Sequence, residues 1–435
     1  MKIAWVTPFS TRSAIGRFSR LVTAALERQG HAVTVVRSEA PDLLSEEAHP
    51  HPGPVLPWTA LAGEPGRAGD FDVLVYNAGD NYLFHAGVIA LLPKHPGAVV
   101  FHDFYLLNLF HAWRHFGAGP DADAVADALY GPGSAEAILE LIARPDHMAE
   151  AADRFPMTEW IAAQADGAVA HAGFYADRLR RAAPGPVTVL PLAYDTLGAF
   201  TPLHERPPSR PLTVLTVGNV NPNKRVDSVL QAIGGSDALR GACRYRVVGA
   251  VEEGERRRLQ DVAALVGVAD LTITGAVPDA VLHAEMEAAD VIACLRRPPL
   301  EGASASAVEA MLSGRPVLVS EGGFYADLPD HLVFKVRPGT EVADVRRHLL
   351  ALREDPRLGA LVGRRAAAWA ARTFAPDAYA ARLVPFLEEV VRGQPLLRTA
   401  ARLGRTAAGL GLGPDDPLLG RLAGVMDGLF RPPGG

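Results

Sequence analysis

Two carboxylates, Glu301 and Glu309, stand at either end of a run made only of Gly, Ala, Ser and Val, GASASAV over 302–308. Side chains this small let a ligand approach the backbone closely. A helix beginning in the run would aim its first, unpaired amides outward, an arrangement that favours an anion, most simply a diphosphate. Ser306 stands three residues before Glu309, however, and Ser-x-x-Glu is also a capping box, in which Glu309 would only close its own helix. Lys224, in VGNVNPNKRVD over 217–227, is the second candidate. It is one of four lysines in a chain that has thirty-nine arginines, and a compact ammonium on a loop entering a helix suits phosphate oxygens. A third group, Asn77, Asp80, Asn81, His85, His102, Asp103, Tyr105 and Asn108, follows two apolar runs of the first half. It reads either as a site for a hydroxylated ligand or as ordinary loop caps and turns. His111 and His115, four apart, could hold a metal with Asp103, but two surface histidines without a role are the simpler reading, and no metal is expected.

Short apolar runs alternating with helical patterns are what would position these residues, and that alternation is the mark of βαβ units and parallel sheets. Strands are expected at 2–7, 32–36, 72–77, 98–102, 167–171 and 187–191, then at 212–218, 245–250, 271–275, 291–295 and 316–320. Residues 117–165 read as several helices inserted without a strand. The join, AYDTLGAFTPLHERPPSRP, is Pro-rich and polar, as linkers are. The expected division is a first doubly wound domain over 1–195, a linker over 196–211 and a second such domain over 212–375. A helix over 376–393 and a tail of unassigned role over 394–435 follow. Ligands on such sheets bind beyond the carboxyl ends of the strands, so two facing sheets predict a site in the cleft between them. GFYAD occurs twice, at Gly173–Asp177 and Gly323–Asp327, each time after a strand.

Composition narrows the function. A chain of 435 residues, nearly half apolar and with a formal charge of −6, suits two or three globular domains and lacks the basic footprint of a nucleic-acid binder. Two cysteines without metal spacing point to a reducing cytoplasm. MKIAWVTPF reads as a strand rather than a signal peptide, and no run approaches the ~20 apolar residues of a membrane span. The basic, amphipathic QPLLRTAARLGRTAAGLGLG after residue 393 suits a packed helix or a peripheral membrane contact. The arginine bias, with abundant Ala, Gly and Pro, suggests a GC-rich bacterial genome.

Glu301-x7-Glu309 followed by Ala310–Val317 (AMLSGRPV) resembles the retaining GT-B glycosyltransferases of glycosyltransferase family 4 (group 1). VGNVNPNKRVD, ADVIACLRRP, Leu328–Asp330, YNAGDNYLFHAGV and HPGAVVFHDFYL carry the resemblance further, over most of residues 1–393. It implies the α/β GT-B architecture, with two Rossmann-like domains facing across a cleft, the first for the acceptor and the second for a nucleotide-sugar donor. It implies no cofactor beyond that co-substrate. Lys224 would neutralise the donor phosphates, Glu309 would bind the ribose, and Glu301 would hold the transferred sugar with amides of Gly302, Ala303 and Ser304. His102 would reach across the cleft to the same sugar. Gly218, Asn219 and Arg225 complete the implied donor wall, and Asn77, Asp80, Asn81, His85, Asp103 and Tyr105 the acceptor side. The chain departs from the family where Asn219 replaces a phosphate-binding arginine and Arg225 a glycine, and where Ser13–Gly16 stands for a glycine-rich loop.

Retaining sugar transfer to a hydroxylated acceptor, a glycan or natural product, is therefore the expected activity. A nicotinamide-dependent oxidoreductase would share the strand order, but no Gly-x-Gly-x-x-Gly follows a strand. A nucleotide-sugar epimerase, or an inactive sugar-binding or scaffold protein of the same architecture, are the alternatives; Asn219 is the feature that keeps the last one open.

Overall fold

The computed structural model describes residues 1–435 except 64–65, 117–121, 197, 204–206, 208, 414–415 and 431–435, and of 427–430 only the backbone. Parts of the expected linker and tail thus lie outside the described residues.

Strand β1 (Lys2–Thr7) is buried at every position after Lys2. It is central in its sheet and covered on both faces, which is why it reads as a continuous apolar run rather than an alternating one. β2 (Ala32–Arg37), β3 (Val55–Pro57), β4 (Val73–Ala78), β5 (Ala98–Phe101), β6 (Gly167–Ala170) and β7 (Val187–Val189) join it in the order β3-β2-β1-β4-β5-β6-β7. The second sheet contains β8 (Leu212–Val217), β9 (Cys243–Val248), β10 (Leu271–Ile273), β11 (Val291–Cys294), β12 (Val317–Ser320) and β13 (Phe334–Val336), ordered β10-β9-β8-β11-β12-β13. Every pairing in both sheets is parallel. β3 and β13 are additions to the strands expected from sequence. Each is three residues long, too short to show a period.

Both sheets reverse their strand order at one point, between β1 and β4 in the first and between β8 and β11 in the second. The loops leaving these four strands diverge and open a crevice, the place where open α/β sheets bind ligands.

The Ala14–Arg28 helix follows β1. Ser13 caps it by accepting the Gly16 amide at 3.1 Å, and Phe18, Leu21, Val22, Ala25 and Leu26 form its buried stripe. The last long helix, Pro376–Gly409, runs past the expected end at 393. Gln394 stays buried there, and its Oε1 accepts from Arg398 at 2.9 Å. This helix lies on the first sheet's side of the molecule: Tyr379 meets Phe18 edge-on, and Arg28 pairs with Asp377 at 2.7 Å. A Cβ on Gly167 would come 2.6 Å from Val390, so the glycine lets the helix approach β6. Between β5 and β6 the described residues contain only helices. One apolar cluster runs from the first sheet through the interface to one face of the second sheet, whose other face has a cluster of its own. Among the described residues no helix is long and apolar enough to cross a membrane.

Candidate active site

A cavity of about 680 Å³ opens where the two reversal points face each other. The loops after β1, β4 and β5 form one wall, and those after β8 and β11 the other. Of the residues singled out from sequence, the cavity is lined by Asp80, Asn81, His85, His102, Asp103, Gly218, Asn219, Lys224, Glu301, Ala303 and Ser304. Asn77, Tyr105, Arg225, Gly302 and Glu309 lie off its wall, as do Asn108, His111 and His115.

On the second-domain wall, Lys224 is buried, and its Nζ donates to the Val217 carbonyl at 2.6 Å. Gly218 has φ +92°, and a Cβ there would come 2.9 Å from the Lys224 amine, so the glycine leaves room for the ammonium. Burial, then the neighbouring Arg296 charge, lowers the lysine pKa to about 7. Arg296 is a lining residue that the sequence reading passed over. It is buried, its Nε donates to Glu301 Oε1 at 3.1 Å and its Nη1 to the Leu295 carbonyl at 2.8 Å. Asn223 binds the two loops together: its carbonyl accepts the Arg297 amide at 3.0 Å and its side-chain amide donates to Pro298 O. The available signal for Arg296 was its place just past the carboxyl end of a fully buried strand, where ligands of such sheets sit.

Four second-domain assignments need correction. Arg225 has φ +56° and turns away from the cavity to pair with Glu341 at 2.8 Å, so it does not supply the charge missing at Asn219. Gly302 gives its amide not to a ligand but to the His102 carbonyl, 2.8 Å away. A Cβ on it would meet the Tyr175 hydroxyl at 2.7 Å and the carbonyls of His102 and Phe101 at 2.9 Å, so here the small residue serves the approach of the first domain's backbone. The N-cap of the Ala305–Leu312 helix is Ser304, accepting from the Ala307 amide at 3.4 Å. The Ser306 capping box is therefore not formed, because the helix begins two residues earlier than that motif requires. Glu309 lies behind the wall, buried and 3.5 Å from Arg17, a residue of the first-domain helix. Burial raises the Glu309 pKa, and Arg17 opposes the rise. Arg17 also donates to the Tyr194 hydroxyl at 3.0 Å and the Asp195 carbonyl at 2.7 Å.

On the first-domain wall, His102 Nε2 meets Asn77 Oδ1 at 3.0 Å, and its ring packs edge-on against Phe18 at 4.6 Å. Burial, with His171 and His85 nearby, holds its pKa well below the ordinary value, so the ring is neutral at physiological pH. Asn77 is fully buried, donates to the Val6 carbonyl and orients His102 rather than facing the cavity. Tyr105 is also buried off the wall, with its amide on the Leu300 carbonyl. These are the remaining corrections. Asp80 accepts the Leu109 amide at 2.9 Å and the Asn108 side chain at 2.6 Å, and Asn81 caps the Tyr82–Leu91 helix, so both serve local structure while lining the cavity. Asp103 accepts the Asp80 amide at 2.9 Å; burial, with Glu301 adding to it, raises its pKa to about 7. His85 keeps Nδ1 on the Asn81 carbonyl at 2.8 Å, and its buried Nε2 has no partner among the described residues. Among the described residues no group of three His, Cys, Asp or Glu side chains gathers as metal ligands.

The walls touch. Asp103 and Glu301 form an antiparallel bridge, and the amides of Phe104 and Tyr105 both donate to the Leu300 carbonyl, at 2.9 and 3.0 Å. The repeated GFYAD segments also meet, through Gly173 N and Asp327 Oδ2 at 2.7 Å.

Solved structures with a similar fold include sucrose-phosphate synthase from Thermosynechococcus elongatus (TM-score 0.62, 16% identity, covering 90% of this chain and 99% of that one). Anabaena Alr3699/HepE in complex with UDP aligns at TM-score 0.60 and 16% identity, covering 89% of this chain and 100% of that one. WaaG, a glycosyltransferase involved in lipopolysaccharide biosynthesis, aligns at TM-score 0.53 and 14% identity over 87% of this chain and 96% of that one. The fold is GT-B. Residues 204–369 match the family model described as Glycosyl transferases group 1, a span that includes Lys224, Arg296 and Glu301. No curated protein sequence matches the chain. The family match and the fold together support a glycosyltransferase.

Proposed function

We propose that this protein is a retaining glycosyltransferase that moves a sugar from a nucleotide-sugar donor to a hydroxylated acceptor. The observation that carries the reading is the cation-bearing wall after β8 and β11, facing a neutral histidine across a cavity of about 680 Å³. In this reading residues 212–375 hold the donor, and the first sheet with the returning helix holds the acceptor. The leaving diphosphate develops charge beside Lys224 and the amides opening the Ala305–Leu312 helix, where fixed dipoles and charges stabilise it without reorganising. His102 and Glu301 hold the transferred sugar. Front-face substitution balances the step: the acceptor oxygen bonds to the anomeric carbon as its bond to phosphate breaks, and the hydroxyl proton passes to the departing phosphate oxygen.

The HepE complexes contain UDP, and in one case UDP and glucose, which makes UDP the first nucleotide to try. A thermal-shift panel of nucleoside diphosphates and their sugars tests binding, since a ligand at a hundred times its Kd stabilises by about 2.7 kcal/mol. Proton NMR of the glycoside formed with a positive donor tests retention. No stabilisation by any member of the panel would reject the reading, and an epimerised sugar released without acceptor would mark an epimerase instead.

A further inference from the structure

The cavity contains a buried cation that the proposed donor assignment leaves without a task. Arg296 is 7% exposed, lies on the cavity wall and uses Nε and Nη1 on Glu301 and Leu295. Its remaining amine, Nη2, has no protein partner among the described residues. The single carboxylate paired with it, Glu301, is 38% exposed at its side chain, whereas Lys224 beside it is buried without any carboxylate partner among the described residues. A buried guanidinium and a buried amine share one partly exposed carboxylate, so this wall carries excess positive charge whenever the lysine is protonated. A desolvated excess charge of this kind is costly unless an anion answers it. The fork of a guanidinium, unlike an ammonium, matches two phosphate oxygens at once.

We propose that Arg296, acting with Lys224, grips the donor's diphosphate directly and takes over the guanidinium role that is vacant at Asn219. The reading rests on the nucleotide-diphosphate donor proposed above. The geometry supports the exchange between loops. Asn219 and Arg296 follow neighbouring strands, β8 and β11, both line the same cavity, and Asn223 ties one loop to the other through the Arg297 amide at 3.0 Å. A guanidinium can thus enter the same anion site from either loop. Arg225, the arginine next to Lys224 in sequence, is held away by Glu341 at 2.8 Å. Because Nε remains on Glu301, Arg296 also couples the diphosphate to the carboxylate proposed to hold the sugar.

The experiment is calorimetric titration of the full chain with inorganic pyrophosphate, UDP and uridine, comparing wild type, Arg296→Gln, Arg296→Lys and the double variant Arg296→Gln/Asn219→Arg. Arg296→Gln is expected to weaken pyrophosphate and UDP alike, each by about tenfold or more, while uridine is unaffected, as loss of a charge-assisted contact to phosphate requires. Arg296→Lys should recover only part of this. Asn219→Arg, on a residue exposed at the cavity, should restore most of it. Pyrophosphate has no sugar, so its loss cannot arise from a disturbed sugar contact at Glu301. Pyrophosphate and UDP binding within twofold of wild type in a folded Arg296→Gln would overturn the proposal while leaving the glycosyltransferase reading intact. A wild type that binds no nucleoside diphosphate would overturn both. If Arg296→Gln does not fold, Arg296→Lys decides: pyrophosphate and UDP affinities within twofold of wild type in that variant would refute a two-oxygen guanidinium contact.

Discussion

Lys224 and His102 are two cavity residues whose protonation state bears on binding and turnover. Lys224 is faced by Arg296, Glu301 and Cys294, and burial, aided by Arg296, brings its pKa from 10.5 to about 7. Burial pushes the Cys294 thiol up to about 11, so it stays neutral through the range in which the lysine titrates. Because the lysine pKa is lowered, its charge is complete below that pH and is lost above it. Affinity for UDP should therefore fall as pH rises from about 7 to 9, by at most about tenfold per unit, until binding no longer recovers the proton. Titrations in that range check this, and Lys224→Met should bind weakly with a flat profile. His102 predicts a different pattern. The ring is neutral, buried and oriented by Asn77, so His102→Ala should lower turnover by about a hundredfold or more if it positions the transferred sugar. UDP affinity should stay near wild type, because the nucleotide wall belongs to the other domain. Removing a packed ring should also cost about 3 kcal/mol of stability. A variant that is less stable but kinetically ordinary would reduce His102 to a packing residue.

At the scale of elements, the Ala305–Leu312 helix separates the two roles that the sequence left entangled at Glu309. Its cap is Ser304, so Ser304→Ala should lower unfolding free energy by about 0.5–2 kcal/mol in urea denaturation. Ser306→Ala should change it little, because Ser306 lies inside the helix. Glu309→Ala removes no cap; it leaves Arg17 without its second-domain partner, across the contact at 3.5 Å. If the donor ribose reaches Glu309, as the resemblance implies, Glu309→Ala should weaken nucleotide affinity far more than Ser306→Ala, and equal affinities would deny Glu309 any part in binding. The strand and helix pattern around this element was legible because burial on both sheet faces writes long apolar runs. The exact start of the helix was not, since Ser304 and Ser306 are equally good caps in isolation and only backbone geometry chooses between them.

Across the whole molecule, backbone hydrogen bonds join the domains alongside the side-chain contacts Arg17–Glu309 and Asp327–Gly173 and a shared apolar cluster. Leu300 and Gly302 of one half exchange hydrogen bonds with His102, Phe104 and Tyr105 of the other. Gly302→Ala places a Cβ against the Tyr175 hydroxyl and two carbonyls of the first domain, all within 2.9 Å. The expected result is a wider cleft, seen as a larger radius of gyration in small-angle scattering, together with loss of turnover while each domain keeps its secondary structure. Asp327→Ala, which removes only an exposed hydrogen bond to Gly173, is the control and should leave the radius unchanged. An unaltered radius in Gly302→Ala would mean that the bridge does not set the domain separation.

The sequence by itself determined the local chemistry: apolar runs at strand length, helical stripes between them, a Pro-rich join, and a lysine and two carboxylates in a setting of small residues. Those signals depend on neighbours within a few positions, so one chain is enough to read them. Tertiary structure alone decided which side chains share a wall. Asn77 and Tyr105 point into the fold, Arg225 is claimed by Glu341 from 116 residues away, and Gly302 is claimed by the first domain. Arg296 acquires its place because two strands distant in sequence are adjacent in the sheet, and no local pattern records that adjacency.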